Sequence, residues 1–83
     1  MRREDILGLV VKHLREVVPG LDERVIGGSD RMKDLGANSV DRAEVLMLVM
    51  ESLGLSVPRI ELAKASNIGE VADLLYEKLR HRP

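Results

Sequence analysis

An all-α fold is predicted, a bundle of three main helices plus one short helix with a long first loop. Three observations carry it. Apolar residues recur at spacings of three and four in three separate segments, no stretch alternates with period two, and clusters of glycine, proline, asparagine and serine separate the segments. With 83 residues the chain is expected to form one domain over 1–83, because a chain of this length wraps a single core. No internal repeat or low-complexity segment is visible.

Residues 3–18 read as the first helix. Ile6, Val10, Leu14 and Val17 form one stripe, Leu7 and Val18 widen it, and Glu4 and Asp5 sit favourably in the first turn. Pro19-Gly20 stops it. From Gly20 to Ala37 no period holds, and Gly27-Gly28, Ser29-Asp30 and Gly36 are turn chemistry, so a long loop is expected with Leu21, Val25, Ile26, Met32 and Leu35 as anchors. The second helix starts at Asn38 or Ser39 and runs to about Leu53, where Gly54 ends it. Ala43, Leu46, Val49, Met50 and Leu53 repeat at three and four and are expected to face inward. Ser56-Val57-Pro58 reads as extended and Arg59–Lys64 as a short helix. Asn67 followed by Glu70 predicts a reciprocal cap for the last helix, with Ile68, Val71, Leu74, Leu75 and Leu79 as its buried stripe.

Composition narrows the function classes. The longest apolar run, Val45–Met50, is far too short to cross a bilayer, so no membrane association is expected. Cysteine is absent, which excludes disulfides, thiolate metal sites and a cysteine nucleophile, and fits a reducing cytoplasmic setting. The first five residues mix arginine with acids and precede no long apolar stretch, unlike a signal peptide. Tyr76 is the single aromatic, leaving nucleic-acid bases almost nothing to stack on. Net charge is −1, but residues 16–77 hold twelve acidic against six basic side chains, and the basic excess lies at the two ends. That is the reverse of a duplex-binding stripe, so no nucleic acid is expected, and cationic protein partners suit it better.

Catalytic constellations are lacking. His13 lies mid-helix and His81 near the end, without a second histidine at metal-ligand spacing. Two distant histidines do not assemble a hydrolase triad, and carboxylate pairs such as Asp22-Glu23 lie in a polar loop. Gly27-Gly28 lacks the strand and helix that flank a phosphate loop. What remains is Asp34-Leu35-Gly36-Ala37-Asn38-Ser39-Val40-Asp41, where a glycine turn delivers a serine to the head of a helix. Two readings are open at this point. Either Asn38 or Ser39 merely caps the helix, or the Ser39 hydroxyl is an attachment point for a phosphate ester, which the helix dipole and free backbone donors would favour.

The order of helix, long loop, serine at the head of a second helix, short third helix and final helix resembles the acyl carrier protein family over nearly the whole chain. In that family the serine of an Asp-Ser-Leu motif carries 4′-phosphopantetheine, and the matching triplet is Asn38-Ser39-Val40. Asp34-Leu35-Gly36, Gly54 and Asn67-Ile68-Gly69-Glu70 match in order. The chain departs from the motif twice: Asn38 removes a charge that relatives offer their modifying transferase, and Val40 shortens an apolar contact with partner enzymes.

The resemblance implies a carrier that is a substrate and partner of enzymes, without catalytic residues or a metal. Ser39 would take its arm from coenzyme A through a phosphopantetheinyl transferase, and the arm's thiol would hold acyl groups as thioesters. Val40, Glu44, Met47 and Glu51 fall at four, three and four spacing on the second helix, the face that meets basic patches of partners in relatives; Asp41 and Arg42 adjoin it, and Arg42 is expected to interrupt it. Met47 could equally face the core, and Glu44 and Glu51 could be a solvated surface. The string from Asp34 to Arg42 also looks like stand-alone carriers of polyketide β-branching cassettes. There a ketosynthase-like decarboxylase makes an acetyl unit from malonyl supplied by an acyltransferase, and the carrier offers it to a synthase resembling hydroxymethylglutaryl-CoA synthase. A monomer is expected. A fatty-acid or nonribosomal-peptide carrier, a helical interaction module without a prosthetic group, and a minimal serine hydrolase are the competing readings.

Overall fold

The computed structural model describes residues 1–81 and contains four α-helices: α1 (Arg3–Val17), α2 (Ser39–Leu53), α3 (Arg59–Leu62) and α4 (Ile68–Arg80). A 3-10 turn, Lys33–Leu35, lies near the end of the long first loop. The last two residues of the basic C-terminal end lie outside the described residues. Among the described residues no helix is long and apolar enough to cross a membrane.

Helix α1 packs against both α2 and α4. Its stripe is the expected one, with Ile6, Val10 and Leu14 fully buried. Each such side chain contributes about 1.5–3 kcal/mol when removed from water. His13 joins that buried face. Its Nδ1 lies 2.6 Å from Glu16 Oε1 and its Nε2 lies 3.2 Å from Ser52 Oγ, so the ring bridges α1 to the end of α2.

Helix α2 turns differently from the expectation. Val45, Val49 and Leu53 are its buried residues, while Ala43, Leu46 and Met50 are half-buried. The six-residue apolar run places hydrophobic side chains on every side of the helix, so spacing alone does not single out the inner face. Gly54 ends α2 with a φ of 65°, and the amide of Leu55 reaches the Met50 carbonyl at 3.0 Å.

The loop anchors are Leu21, Met32 and Leu35, all buried, with Ile26 half-buried. Val25 is not an anchor and is 91% exposed. A turn closed by the Arg24 amide on the Leu21 carbonyl reverses the chain just before it, and the Arg24 carbonyl accepts from the Arg15 guanidinium at 3.0 Å. Further along, the carbonyls of Asp30 and Gly28 accept from the amides of Ile68 and Gly69 at 2.9 and 2.8 Å. The loop thereby satisfies donors that the first turn of α4 would otherwise leave open.

Helix α3 is shorter than expected, ending at Leu62. It is tied to α4 by the ion pair of Glu61 with Lys78 at 2.7 Å. At the start of α4, Asn67 Oδ1 accepts from the Glu70 amide at 2.8 Å, as the sequence predicts. The Glu70 carboxylate accepts chiefly from the hydroxyl and backbone amide of Ser66, one residue before the cap, with the Asn67 amide a lesser partner. These bonds hold its carboxyl below the usual carboxylate range, the Ser66 hydroxyl being the largest cause. Arg3 and Asp73 pair across α1 and α4.

Candidate functional site

The head of α2 is prepared by two turns. Leu35 closes the 3-10 turn and is buried, and Gly36 follows with a φ of 96°, a left-handed conformation that glycine adopts without a Cβ penalty. The Ala37 amide then reaches the Met32 carbonyl at 3.1 Å, and Ala37 packs into the core. Asn38 leaves this turn in extended backbone and takes the N-cap position.

Asn38 and Asp41 bond to each other reciprocally. Asn38 Oδ1 accepts from the Asp41 amide at 2.8 Å, and Asp41 Oδ2 accepts from the Asn38 amide at 3.1 Å. This is a capping box built from an amide and a short carboxylate. Its Asn-x-x-Asp spacing is present in the sequence, and Asp41, expected beside the docking face, completes the cap. Of the two candidate caps, Asn38 does the capping and Ser39 does not.

The consequence falls on Ser39. It is exposed at the first helical position, and among the described residues neither its hydroxyl nor the amides of Ser39 and Val40 have a protein partner. A free hydroxyl therefore stands beside unsatisfied donors at the positive end of a 15-residue helix. Such an oxygen can bear a phosphate ester at low electrostatic cost.

Along α2, Val40, Glu44, Met47 and Glu51 all face outward on one stripe. Val40 is 72% exposed and Met47 55%, and both glutamates are exposed, so Met47 belongs to the surface and not to the core. Val40, Met47 and Met50 line a groove of about 430 Å³ that Arg59 of α3 borders. Asp41 and Arg42 leave that stripe, because each residue advances about 100° around a helix. Arg42 is half-buried and its guanidinium donates to the Ala37 carbonyl at 2.8 Å. It faces a separate cleft bordered by Arg31 and Lys33, and so does not interrupt the Val40–Glu51 stripe.

The remaining polar candidates are engaged elsewhere. His13 is held by Glu16 and Ser52, and His81, the C-cap of α4, lies 2.7 Å from Glu77 Oε1. Among the described residues no group of histidine and carboxylate side chains is placed to hold a metal ion. Asp22 and Glu23 are exposed.

Comparison with known proteins agrees with this geometry. Residues 9–75 match the family model described as phosphopantetheine attachment site. The chain is 42% identical over 80 residues to the polyketide biosynthesis acyl-carrier-protein AcpK of Bacillus subtilis (strain 168), covering 96% of this chain and 98% of that one. It is 29% identical to an acyl carrier protein of Cyanidium caldarium, covering 96% and 93%. A chain in the crystal structure of the curacin biosynthetic pathway HMG synthase in complex with acetyl donor-ACP superposes with a TM-score of 0.88 at 49% identity, covering 94% of this chain and all of that one. A helical bundle with a free serine at the head of its second helix, matched by that family model and by a close carrier relative over nearly its whole length, belongs to the acyl carrier protein family, whose members are carriers rather than catalysts and hold their cargo on a covalent 4′-phosphopantetheine arm.

Proposed function

We propose that Ser39 carries the arm, and that the protein, a single carrier domain over residues 1–83, holds the acetyl or malonyl donor unit of a polyketide β-branching reaction. The observation that supports the site most directly is the division of labour at the head of α2: Asn38 and Asp41 satisfy the cap, and the Ser39 hydroxyl is left exposed and unpartnered. The residues present fit the group, since the attached phosphate would meet the free amides of Ser39 and Val40.

In the loading step the Ser39 oxygen attacks the β-phosphate of coenzyme A. The new P–O bond replaces the one to 3′,5′-ADP, which leaves, and the serine proton passes to a base on the phosphopantetheinyl transferase. Once attached, the arm supplies a terminal thiol that holds acyl groups as thioesters, which explains how a cysteine-free chain serves as an acyl carrier. The exposed stripe of Val40, Glu44, Met47 and Glu51 offers partners an apolar centre flanked by carboxylates, while Asp41 and Arg42 lie off it.

The β-branching assignment rests on the likeness to the carrier in the HMG synthase complex and to AcpK. On this reading the partners are a ketosynthase-like decarboxylase, an acyltransferase and a synthase resembling hydroxymethylglutaryl-CoA synthase, all in the cytoplasm, and the carrier is a monomer. The test is intact mass after incubation with coenzyme A and a promiscuous transferase. A gain of one phosphopantetheine that disappears in Ser39→Ala supports the site; a gain that persists in the variant, or none in the wild type, refutes it. Loading with malonyl rather than aminoacyl donors then separates a polyketide carrier from a nonribosomal-peptide carrier.

A further inference from the structure

We infer that the cleft beside Arg42 is a phosphate-binding site built from Arg31, Lys33 and Arg42. Residues 16–77 are strongly acidic and contain six basic side chains, yet three of those six line this one cleft, and no carboxylate lines it. Its volume, about 200 Å³, is below that of pockets for drug-sized ligands and suits a small anion.

The three cations are held on fixed backbone. Arg31 and Lys33 flank Met32, whose side chain is buried, and the Arg31 carbonyl accepts from the amides of Asp34 and Leu35 at 3.0 and 3.2 Å. The Lys33 carbonyl accepts from Gly36 at 3.2 Å. Arg42 is anchored through one guanidinium nitrogen to the Ala37 carbonyl at 2.8 Å, which leaves its other donors for a ligand. Arg31 and Lys33 have no ion pair among the described residues. Neighbouring carboxylates are engaged elsewhere: Glu70 is drawn onto Ser66 and lines a different groove, between α3 and α4, Asp30 accepts from the Gly27 amide and Asp41 from the Asn38 amide.

Position supplies the link to Ser39. Arg42 follows it by three residues, a rise of about 4.5 Å along the helix axis, so a phosphate on the Ser39 oxygen lies within reach of the cleft's edge. This inference rests on Ser39 being the attachment residue only in naming the phosphate, which has two sources. One is the phosphodiester of the arm itself; the other is the 3′-phosphate end of coenzyme A during loading.

Titration of ¹⁵N-labelled apo protein with 3′,5′-ADP at low salt decides whether the site exists, and needs no modification of Ser39. The expected result is saturable shifts of the amides of 31–33, 42 and 65–67, with affinity falling about five-fold in Arg31→Gln/Lys33→Gln, since each exposed charge contributes modestly. Lys12→Gln, on α1, should bind as the wild type does. Weaker binding by the holo protein, together with a ³¹P shift of its phosphodiester in the double variant, identifies the arm as occupant. Equal binding by apo and holo forms with an unmoved ³¹P resonance identifies coenzyme A. Absence of saturable shifts in the apo protein together with an unmoved ³¹P resonance in the holo double variant overturns the inference.

Discussion

Asn38 and Asp41 exchange two hydrogen bonds, at 2.8 and 3.1 Å, across the residue that starts α2, and in doing so they release Ser39 from any structural duty. Capping falls to one side chain and the proposed attachment to its neighbour.

That separation predicts opposite outcomes for adjacent substitutions. Asn38→Ala should cost about 1 kcal/mol in urea unfolding, whereas Ser39→Ala should change stability by less than about 0.5 kcal/mol. Asn38→Asp should retain the cap and the stability. A large loss in Ser39→Ala would mean that its hydroxyl is structural after all.

Charge reversal tests the outer stripe. Glu44→Lys/Glu51→Lys should leave the melting temperature nearly unchanged, because both side chains are exposed, and should slow turnover by an acidic-face-reading partner at low salt. Unchanged partner turnover under those conditions would remove the electrostatic part of the docking argument.

The bridge from His13 to Ser52 and Glu16 predicts a stability contribution unrelated to chemistry. His13→Ala should cost about 2–3 kcal/mol, combining a buried cavity with the loss of both ring contacts, and Ser52→Ala about 0.5–1 kcal/mol. Chemical denaturation of the two single variants and the double variant measures the coupling.

Two glycines should respond with opposite sign. A Cβ at Gly69 would lie 3.0 Å from the Gly28 carbonyl oxygen, so Gly69→Ala should destabilise by about 1 kcal/mol. Gly8 is exposed within α1 with open space around its Cα, so Gly8→Ala should stabilise by about 0.5–1 kcal/mol through helix propensity. Thermal melts of both settle the contrast.

Acid titration probes Ser66 and Glu70. Because Glu70 is depressed in the folded protein, its contribution to stability is present above the unfolded carboxylate range and is lost as pH falls through the folded value. Ser66→Ala should move the Glu70 carboxyl upward toward its ordinary value, read by NMR titration of the side chain, and flatten the acid limb of the stability profile.

Much of this was legible in the sequence wherever one physical signal dominated. The α1 stripe, the Gly54 stop and the Asn67 cap are local patterns with a single solution, and they stand as expected. The inner face of α2 was not legible, because Val45–Met50 is apolar all round and only packing against α1 chooses Val45 over Ala43 and Met50. Val25 points to solvent because the turn closed by Arg24 on Leu21 reverses the chain before it, and such a turn carries no periodicity. The serine at the head of α2 was visible as a position, but that Asn38 would take the cap is a matter of geometry that two adjacent capping residues leave undetermined. The meeting of Arg31 and Lys33 with Arg42 depends on the loop folding back, which spacing along the chain does not encode.

The two carbonyls at 28 and 30 that accept from Ile68 and Gly69 have a dynamic meaning as well. First-turn amides of a helix ordinarily trade their protons with solvent quickly, but these two are sealed by a distant stretch of chain. Their deuterium uptake therefore clocks how often the long connection peels away from the last helix, and comparing that clock before and after loading would show whether a burden at the head of α2 is felt at the neighbouring start of α4.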